Sequence, residues 1–504
     1  MPTEQDALAG YVTGEPAFGR RGYMLDVSRD RVPTLETIAW LIDVLAALRF
    51  TEFQLYVEHT FTYTGHDVVW RDASPLSHRD MAWIADYAGE RGVQLVAHMN
   101  GFGHMGRWLR HDGYRQRAEC PEGTANLFGG GPAEPSCLEP TPENAAFAVD
   151  LAREMLSAVG GRRIHIGGDE PFELGEGRSA ERVAEVGRDA VYLEHLVRMI
   201  EPLVADGVDV MFWADQFRND PALVRSIPDG ATGVVWHYEA PSGNSWLDAL
   251  PRDLLDRLNL PADSHLGFEA HARLFIESET PFWVAPGTGS WNSVIGRNVN
   301  AAANIADAAA VGARCGAEGL LLADWGDNGH WQPLAVSLPS MVRAAAAAWN
   351  GRGSDIPVGP VVDGLLGARA GTGDLLDRLG GLGESLGLTS PNGSPIFTAI
   401  LDTGVPTFGE AEGGAIDAAL VAVAEAAEAF STRSSGPIPG DRGGVIAAEM
   451  TAACGLAGLG LRRIRGEEPG GEDVEAVRRM QAEAWLLSSR PGGLADSLGR
   501  LVSA

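Results

Sequence analysis

RIHIGGDEPFELG, Arg163–Gly175, joins a short apolar run to two adjacent carboxylates. Ile164, His165 and Ile166 read as a buried parallel strand. Gly167 and Gly168 then remove side-chain bulk where something approaches the backbone closely. Asp169 and Glu170 follow at the carboxyl end of that strand, where parallel barrels place their reactive groups. Neighbouring strand residues point to opposite faces, so the two acids share one site only if the chain turns there. A bare Asp-Glu pair reads as a solvated turn. The preceding HIGG argues instead for a pair of acids at work, which suits glycosidic bond cleavage.

Outward from this element, eight short apolar runs alternate with helical patterns. The runs are Tyr23–Ser28, Phe53–Glu58, Val93–Met99, Arg163–Gly168, Val210–Asp215, Gly233–Tyr238, Phe282–Gly287 and Gly319–Asp324. Amphipathic stretches between them cover Thr34–Leu48, His78–Arg91, Pro142–Val159, Glu181–Ala205, Asn298–Cys315 and Leu338–Trp349. This order predicts an α/β fold, a (β/α)8 TIM barrel over residues 21–350, after an N-terminal extension of residues 1–20. A doubly wound open sheet is the rival, weakened by the lack of a GxGxxG turn. Residues 351–504 change character: Trp485 is the only tryptophan beyond Trp349, of 13 in the chain. Helical patterns at Val361–Leu386, Ala415–Phe430, Val445–Leu461 and Asp473–Leu487 predict a mainly helical C-terminal domain, with joints at Ser390–Pro395 and Ser434–Gly444.

Composition excludes several chemistries. A formal net charge of -29 opposes nucleic-acid binding. The 39 basic residues are all arginine, so chemistry that needs a lysine, such as a Schiff base or a GxxxxGK[ST] phosphate loop, is absent. No apolar run of about 18 residues predicts a membrane span. The start carries no secretory pattern, and four widely spaced cysteines suit a reducing compartment, so cytoplasmic residence is the expectation. No cofactor or metal is expected, and the composition leaves self-association into a homo-oligomer open.

Polar and aromatic residues gather at the predicted strand ends. Asp26 and Arg29 follow strand one, Glu58 and His59 strand two, and His98, Asn100 and His104 strand three. Trp213, Trp236, Trp291 and Trp325 end strands five to eight, with Asp215, His237, Tyr238, Asn292 and Asp327 beside them. Aromatic walls with interspersed acids suit a sugar, whose C–H faces stack while its hydroxyls hydrogen-bond. One rival is a metal-dependent hydrolase or isomerase using His59, His98, His104 and His237 with Asp169 or Glu170, which a chelator would inactivate. Another is a barrel that binds amino sugars without turnover.

RGYMLDVSRD (Arg21–Asp30), GFGHMGRWL (Gly101–Leu109), HIGGDE (His165–Glu170) and DWGDNGHW (Asp324–Trp331) together resemble glycoside hydrolase family 20, the β-N-acetylhexosaminidases. The resemblance spans about residues 20 to 350. It implies an exo-acting, retaining, substrate-assisted hydrolysis of terminal GlcNAc or GalNAc, in which the acetamido oxygen attacks its own anomeric carbon to give an oxazolinium intermediate. By this resemblance Asp169 holds the acetamido group and Glu170 is the general acid and base. His104 positions the acid, and Arg21 and Asp327 hold sugar hydroxyls. Trp213, Trp236 and Trp325 match the walls around the acetamido methyl. The sequence departs from the family where HMNGFGH replaces an acidic segment and where SWNS replaces a tyrosine element. Trp291 with Asn292, or Tyr238, stand as alternatives for that tyrosine, and Glu58 for the acid that partners the histidine. Ahead of residue 21 the family's usual α+β domain finds no counterpart.

Overall fold

A computed structural model describes residues 6–125, 132–218, 220–242, 260, 263–353, 355–401, 407–431 and 441–501. Eight parallel strands close into a barrel: β1 (Arg20–Asp26), β2 (Glu52–Val57), β3 (Gln94–Met99), β4 (Arg163–His165), β5 (Asp209–Trp213), β6 (Ala231–Trp236), β7 (Phe282–Ala285) and β8 (Gly319–Asp324). Each pairs with its neighbours in chain order, and β1 pairs with β8 to close the ring. β2 and β8 are buried along their whole length, since one face meets the barrel interior and the other a layer of helices. All strand carboxyl ends therefore open on one mouth.

The helix layer includes α1 (Leu35–Ala47), α2 (His78–Gly89), α3 (Pro142–Val159), α4 (Arg188–Ala205), α5 (Phe268–Glu277), α6 (Asn298–Cys315) and α7 (Leu334–Asn350). The Thr141 side chain caps α3 and Pro142 opens it, which is why its start is legible. The predicted helix Glu181–Ala205 is broken at Gly187 into Ala180–Val186 and α4. The interior is rich in aromatics: Tyr56, Trp213, Trp283, Trp291 and Trp325 pack with Met24, Met211 and Leu321.

Beyond the barrel follow α8 (Val358–Leu366), α9 (Thr372–Leu379), α10 (Gly413–Ser431), α11 (Asp441–Ile464), α12 (Gly471–Ser488) and α13 (Leu494–Gly499). The expected stretch Val361–Leu386 is thus α8, α9 and a short 3-10 turn. Of the joint Ser434–Gly444, residues 434–440 lie outside the described residues. By length and composition α11 could cross a membrane, which a count of uninterrupted apolar residues missed; 67% of that window is buried, as in a core helix.

These last helices grip the loops at the barrel mouth. The Arg31 guanidinium, just past β1, binds Glu449 at 2.6 Å and Ser489 at 2.9 Å and lies over the Trp485 ring. Arg107 and Arg500 both reach Asp30, and Ser497 donates to Gly329 O at 2.7 Å. The segments carrying Arg29, His104 and Asp327 are therefore each tied to the C-terminal region.

Candidate active site

β4 stops at His165 because the chain turns sharply there. Gly167 and Gly168 take φ of 73° and 90°, and Glu170 itself sits at 47°, a left-handed conformation uncommon outside glycine. The turn is locked by close approach. A Cβ on Gly167 would lie 2.6 Å from the Asn100 side chain, and one on Gly103 would lie 2.3 Å from Asp169 O. The loops after β3 and β4 thus interlock through glycines. The result brings both acids to one imidazole: His104 Nε2 lies 3.2 Å from Asp169 Oδ2 and 3.4 Å from Glu170 Oε2.

Asp169 is buried and accepts from Asn100 Nδ2 at 2.6 Å. Burial alone would raise its carboxyl, but the His104 and Arg29 charges and the hydrogen bonds from His104 and Asn100 hold it below the ordinary aspartate value. Burial also disfavours a charged His104. The charge of Asp169 and hydrogen bonds to both acids outweigh this and raise the ring's proton affinity well above a free histidine's. Arg29 lies 3.3 Å from the other ring nitrogen, Nδ1. A guanidinium only donates, so this contact is a hydrogen bond in the neutral ring, with Nδ1 accepting and Nε2–H facing the two acids, and a charged ring keeps only the attraction to the acids.

Arg29 anchors the opposite pole. It meets Asp26 at 3.1 Å, Glu58 at 3.3 Å and Asp327 at 3.6 Å, beneath the rings of Tyr56 and Trp325. Glu58, whose carboxyl burial pushes up, also accepts from Tyr56 Oη at 3.0 Å. Asp327 borders the open mouth, with 38% of its side chain exposed. It still lies deep enough for poor hydration to push its carboxyl up to about 6. Glu170 keeps 31% of its side chain open.

The walls are aromatic. Trp236 stacks on Tyr238 at 5.1 Å, Tyr238 meets Trp291 at 4.7 Å, and Trp213 meets Trp325 at 5.7 Å. Trp325 Nε1 donates to Tyr238 Oη at 2.8 Å, which leaves the phenol proton to donate elsewhere. Trp291 Nε1 is committed to Asn392 Oδ1 at 2.7 Å. The Asn292 amide is held between Asn392 O and Asn328. Asp215 accepts the Glu170 backbone N–H at 3.1 Å and the Trp236 indole at 3.4 Å. Burial and the Asp169 charge push Asp215 up to about 6.

The structure thus gathers Asp169, Glu170, His104, Trp213, Trp236, Tyr238, Trp291, Trp325 and Asp327 at one mouth, with Asn292 behind Trp291. Arg21, expected at the sugar, is instead at the opposite end of the barrel. It is the second residue of β1 and spends its donors on the Phe18, Gly19 and Arg49 carbonyls. The arginine in the site is Arg29, three residues past the end of β1. Asn100, counted as a departure from the family, is the amide that orients Asp169. The imidazoles of the metal reading do not converge: His98 stacks on His165 and His237 on His271. Among the described residues no group of three His, Cys, Asp or Glu could hold a metal ion.

Residues 18–247 match the family described as Glycosyl hydrolase family 20, catalytic domain. The chain is 24% identical over 242 residues to Hexosaminidase D of Homo sapiens, covering 45% of this chain and 47% of that protein. It is 23% identical over 244 residues to Beta-hexosaminidase A of Caenorhabditis elegans, covering 43% and 42%. The matches therefore span about half the length of these relatives. Among solved structures, the chitobiase of Flavobacterium johnsoniae aligns over 96% of this chain and 78% of its own, with a TM-score of 0.51 and 14% identity, a likeness of fold alone. The barrel and its motif-bearing strand ends agree with that match: residues 18–247 of this chain are similar to the catalytic domain of glycosyl hydrolase family 20.

Proposed function

We propose that the chain is an exo-acting, retaining β-N-acetylhexosaminidase that uses the substrate's own acetamido group as nucleophile. The observation that carries this reading is the convergence of Asp169 and Glu170 on His104 Nε2 under aromatic walls. In the first step the acetamido oxygen attacks the anomeric carbon as the glycosidic C–O bond breaks. Glu170 gives its proton to the departing oxygen. Asp169, ionised and fixed by Asn100 and His104, accepts the acetamido N–H and stabilises the positive charge developing on the ring. Water then attacks the anomeric carbon, loses a proton to Glu170 and reopens the cyclic intermediate. Arg29, Asp327 and Glu58 supply donors and acceptors to the distal hydroxyls.

Tyr238 is the donor we assign to the acetamido carbonyl, because among the described residues its phenol proton has no acceptor, while Trp291 and Asn292 are engaged elsewhere. Tyr238→Phe should lower kcat on the order of a hundredfold with little change in KM, as for loss of one preorganised donor at a developing charge. A rise in KM alone would assign Tyr238 to ground-state binding.

Asp327 gives a pH dependence. Its folded carboxyl, near 6, lies above the ordinary 3.8. The protonated form is thus favoured in the fold, and that stability, full below 3.8, is lost as pH rises through about 6. Binding runs the other way, because only the carboxylate accepts from two hydroxyls at once. KM should fall as pH rises through about 6, and Asp327→Asn should flatten that step.

Small soluble glycosides in the cytoplasm are the proposed setting, which the four free cysteines suit. Incubating paired aryl GlcNAc and GalNAc β-glycosides and following the first anomer by NMR tests the reading. Release of the β-anomer, blocked by a thiazoline mimic of the cyclic intermediate, is expected. Release of the α-anomer, or no hydrolysis of either glycoside, would remove it.

A further inference from the structure

Among the described residues, buried arginines have either a carboxylate or several backbone carbonyls to bind, except Arg218. Arg29, Arg31, Arg163 and Arg297 each lie within 3.3 Å of a carboxylate. Arg21 has no such acid but donates to three backbone carbonyls. Arg218, just past β5, is only 7% exposed, yet among the described residues its guanidinium makes a single hydrogen bond, to Trp236 O at 3.1 Å. It has no ion pair among the described residues and lies 4.8 Å above the Trp236 ring. A guanidinium carries five donors, so four remain without a protein acceptor there. A buried charge without a close partner is costly and calls for an explanation.

Its position supplies one. Arg29 meets Asp26, Glu58 and Asp327, whereas Arg218 lies over Trp236, whose indole shares the Asp215 carboxylate with the Glu170 backbone N–H. The two cations thus serve opposite poles of the pocket, and Arg218 stands on the side of Glu170, where the departing oxygen is protonated. We propose that Arg218, stacked on Trp236, binds an anionic group, a carboxylate or a sulfate, on the leaving-group side of the scissile bond. This rests on the hexosaminidase reading above. The formal net charge of -29 offers no general attraction to anions, so a substrate of this kind needs one placed cation. The planar guanidinium suits the paired oxygens of either group.

The test uses Glu170→Gln, which keeps the glycoside intact, and calorimetric titration of three β-N-acetylglucosaminides with phenyl, 4-carboxyphenyl and 4-sulfooxyphenyl aglycones. At least one charged glycoside should bind about tenfold or more tightly than the phenyl one, the range of one charge-assisted hydrogen bond. Adding Arg218→Gln should abolish that advantage while leaving phenyl affinity nearly unchanged. Which charged arm gains separates carboxylate from sulfate. Should Arg218→Gln not fold, salt titration of the Arg218 protein decides instead: the advantage of the charged arm should shrink with added salt. Equal affinities for charged and neutral arms, or an advantage surviving Arg218→Gln or unaffected by salt, would overturn the inference while leaving the hexosaminidase reading standing. If none of the three binds, both fall.

Discussion

Asp169→Asn and Glu170→Gln should each lower kcat on the order of a hundredfold or more, by different routes. Glu170→Gln removes the proton that the departing oxygen needs. An aglycone that leaves well without protonation, such as a dinitrophenol, should therefore recover much of the first step. In the proposed mechanism Asp169→Asn leaves that proton in place but removes the charge, held by His104 and Asn100, that steadies the acetamido group. No choice of aglycone should rescue it. Rates measured with a series of aryl leaving groups separate the two. A steep dependence on leaving group in the Glu170 variant and a flat deficit in the Asp169 variant are expected. Full activity in either variant would contradict the roles given to them. Binding without turnover in the unaltered protein would instead favour an amino-sugar-binding barrel.

Arg29→Met should produce the largest loss of stability among single changes at the mouth. Asp26 and Glu58 are almost completely buried, and Arg29 reaches both, at 3.1 and 3.3 Å. Removing one partner of such a buried pair costs about 3–5 kcal/mol, chiefly because the remaining charges are stranded. The pH dependence has a definite sign. Glu58 already sits above its ordinary carboxyl value through burial, with Arg29 pulling the other way, so the variant raises it further. A raised folded carboxyl favours the fold at low pH and penalises it as pH rises through that value. The variant should therefore lose most stability at neutral pH and recover part of it on acidification. Denaturant titration at both ends of the range checks this, and Arg29→Met with Glu58→Gln should recover part of the loss. A variant as stable as the parent at neutral pH would mean that these acids are not stranded when Arg29 is gone.

The barrel was legible because its signals are local. Each strand is a short apolar run, and α3 and α6 occupy the ranges their patterns predict. The acid pair was legible because HIGGDE places the turn that brings both residues to one face. Arg21 was misplaced for a reason of length. RGYMLDVSRD carries two arginines, and β1 starts at Arg20 and ends at Asp26, so only Arg29 emerges at the carboxyl end. Counting from the strand's end would have chosen it. Asn100 looked like a lost acid, yet an amide that donates to Asp169 does what another carboxylate could not. The choice of Tyr238 over Trp291 depends on Asn392, about a hundred residues further along the chain. The grip of Glu449 on Arg31 spans over four hundred. Such contacts are decided by how the helical region folds back, and no local pattern announces them.

In the proposed mechanism the oxygen of the substrate's own amide forms the bond to the anomeric carbon. Rates for aryl glucosaminides bearing acetyl, fluoroacetyl, difluoroacetyl and trifluoroacetyl groups test it most directly, because each fluorine makes that oxygen a poorer nucleophile while changing size little. A steep, progressive fall in kcat/KM along the series is the expected result. Equal rates across the four would mean that a protein group or water attacks instead, and would contradict the account.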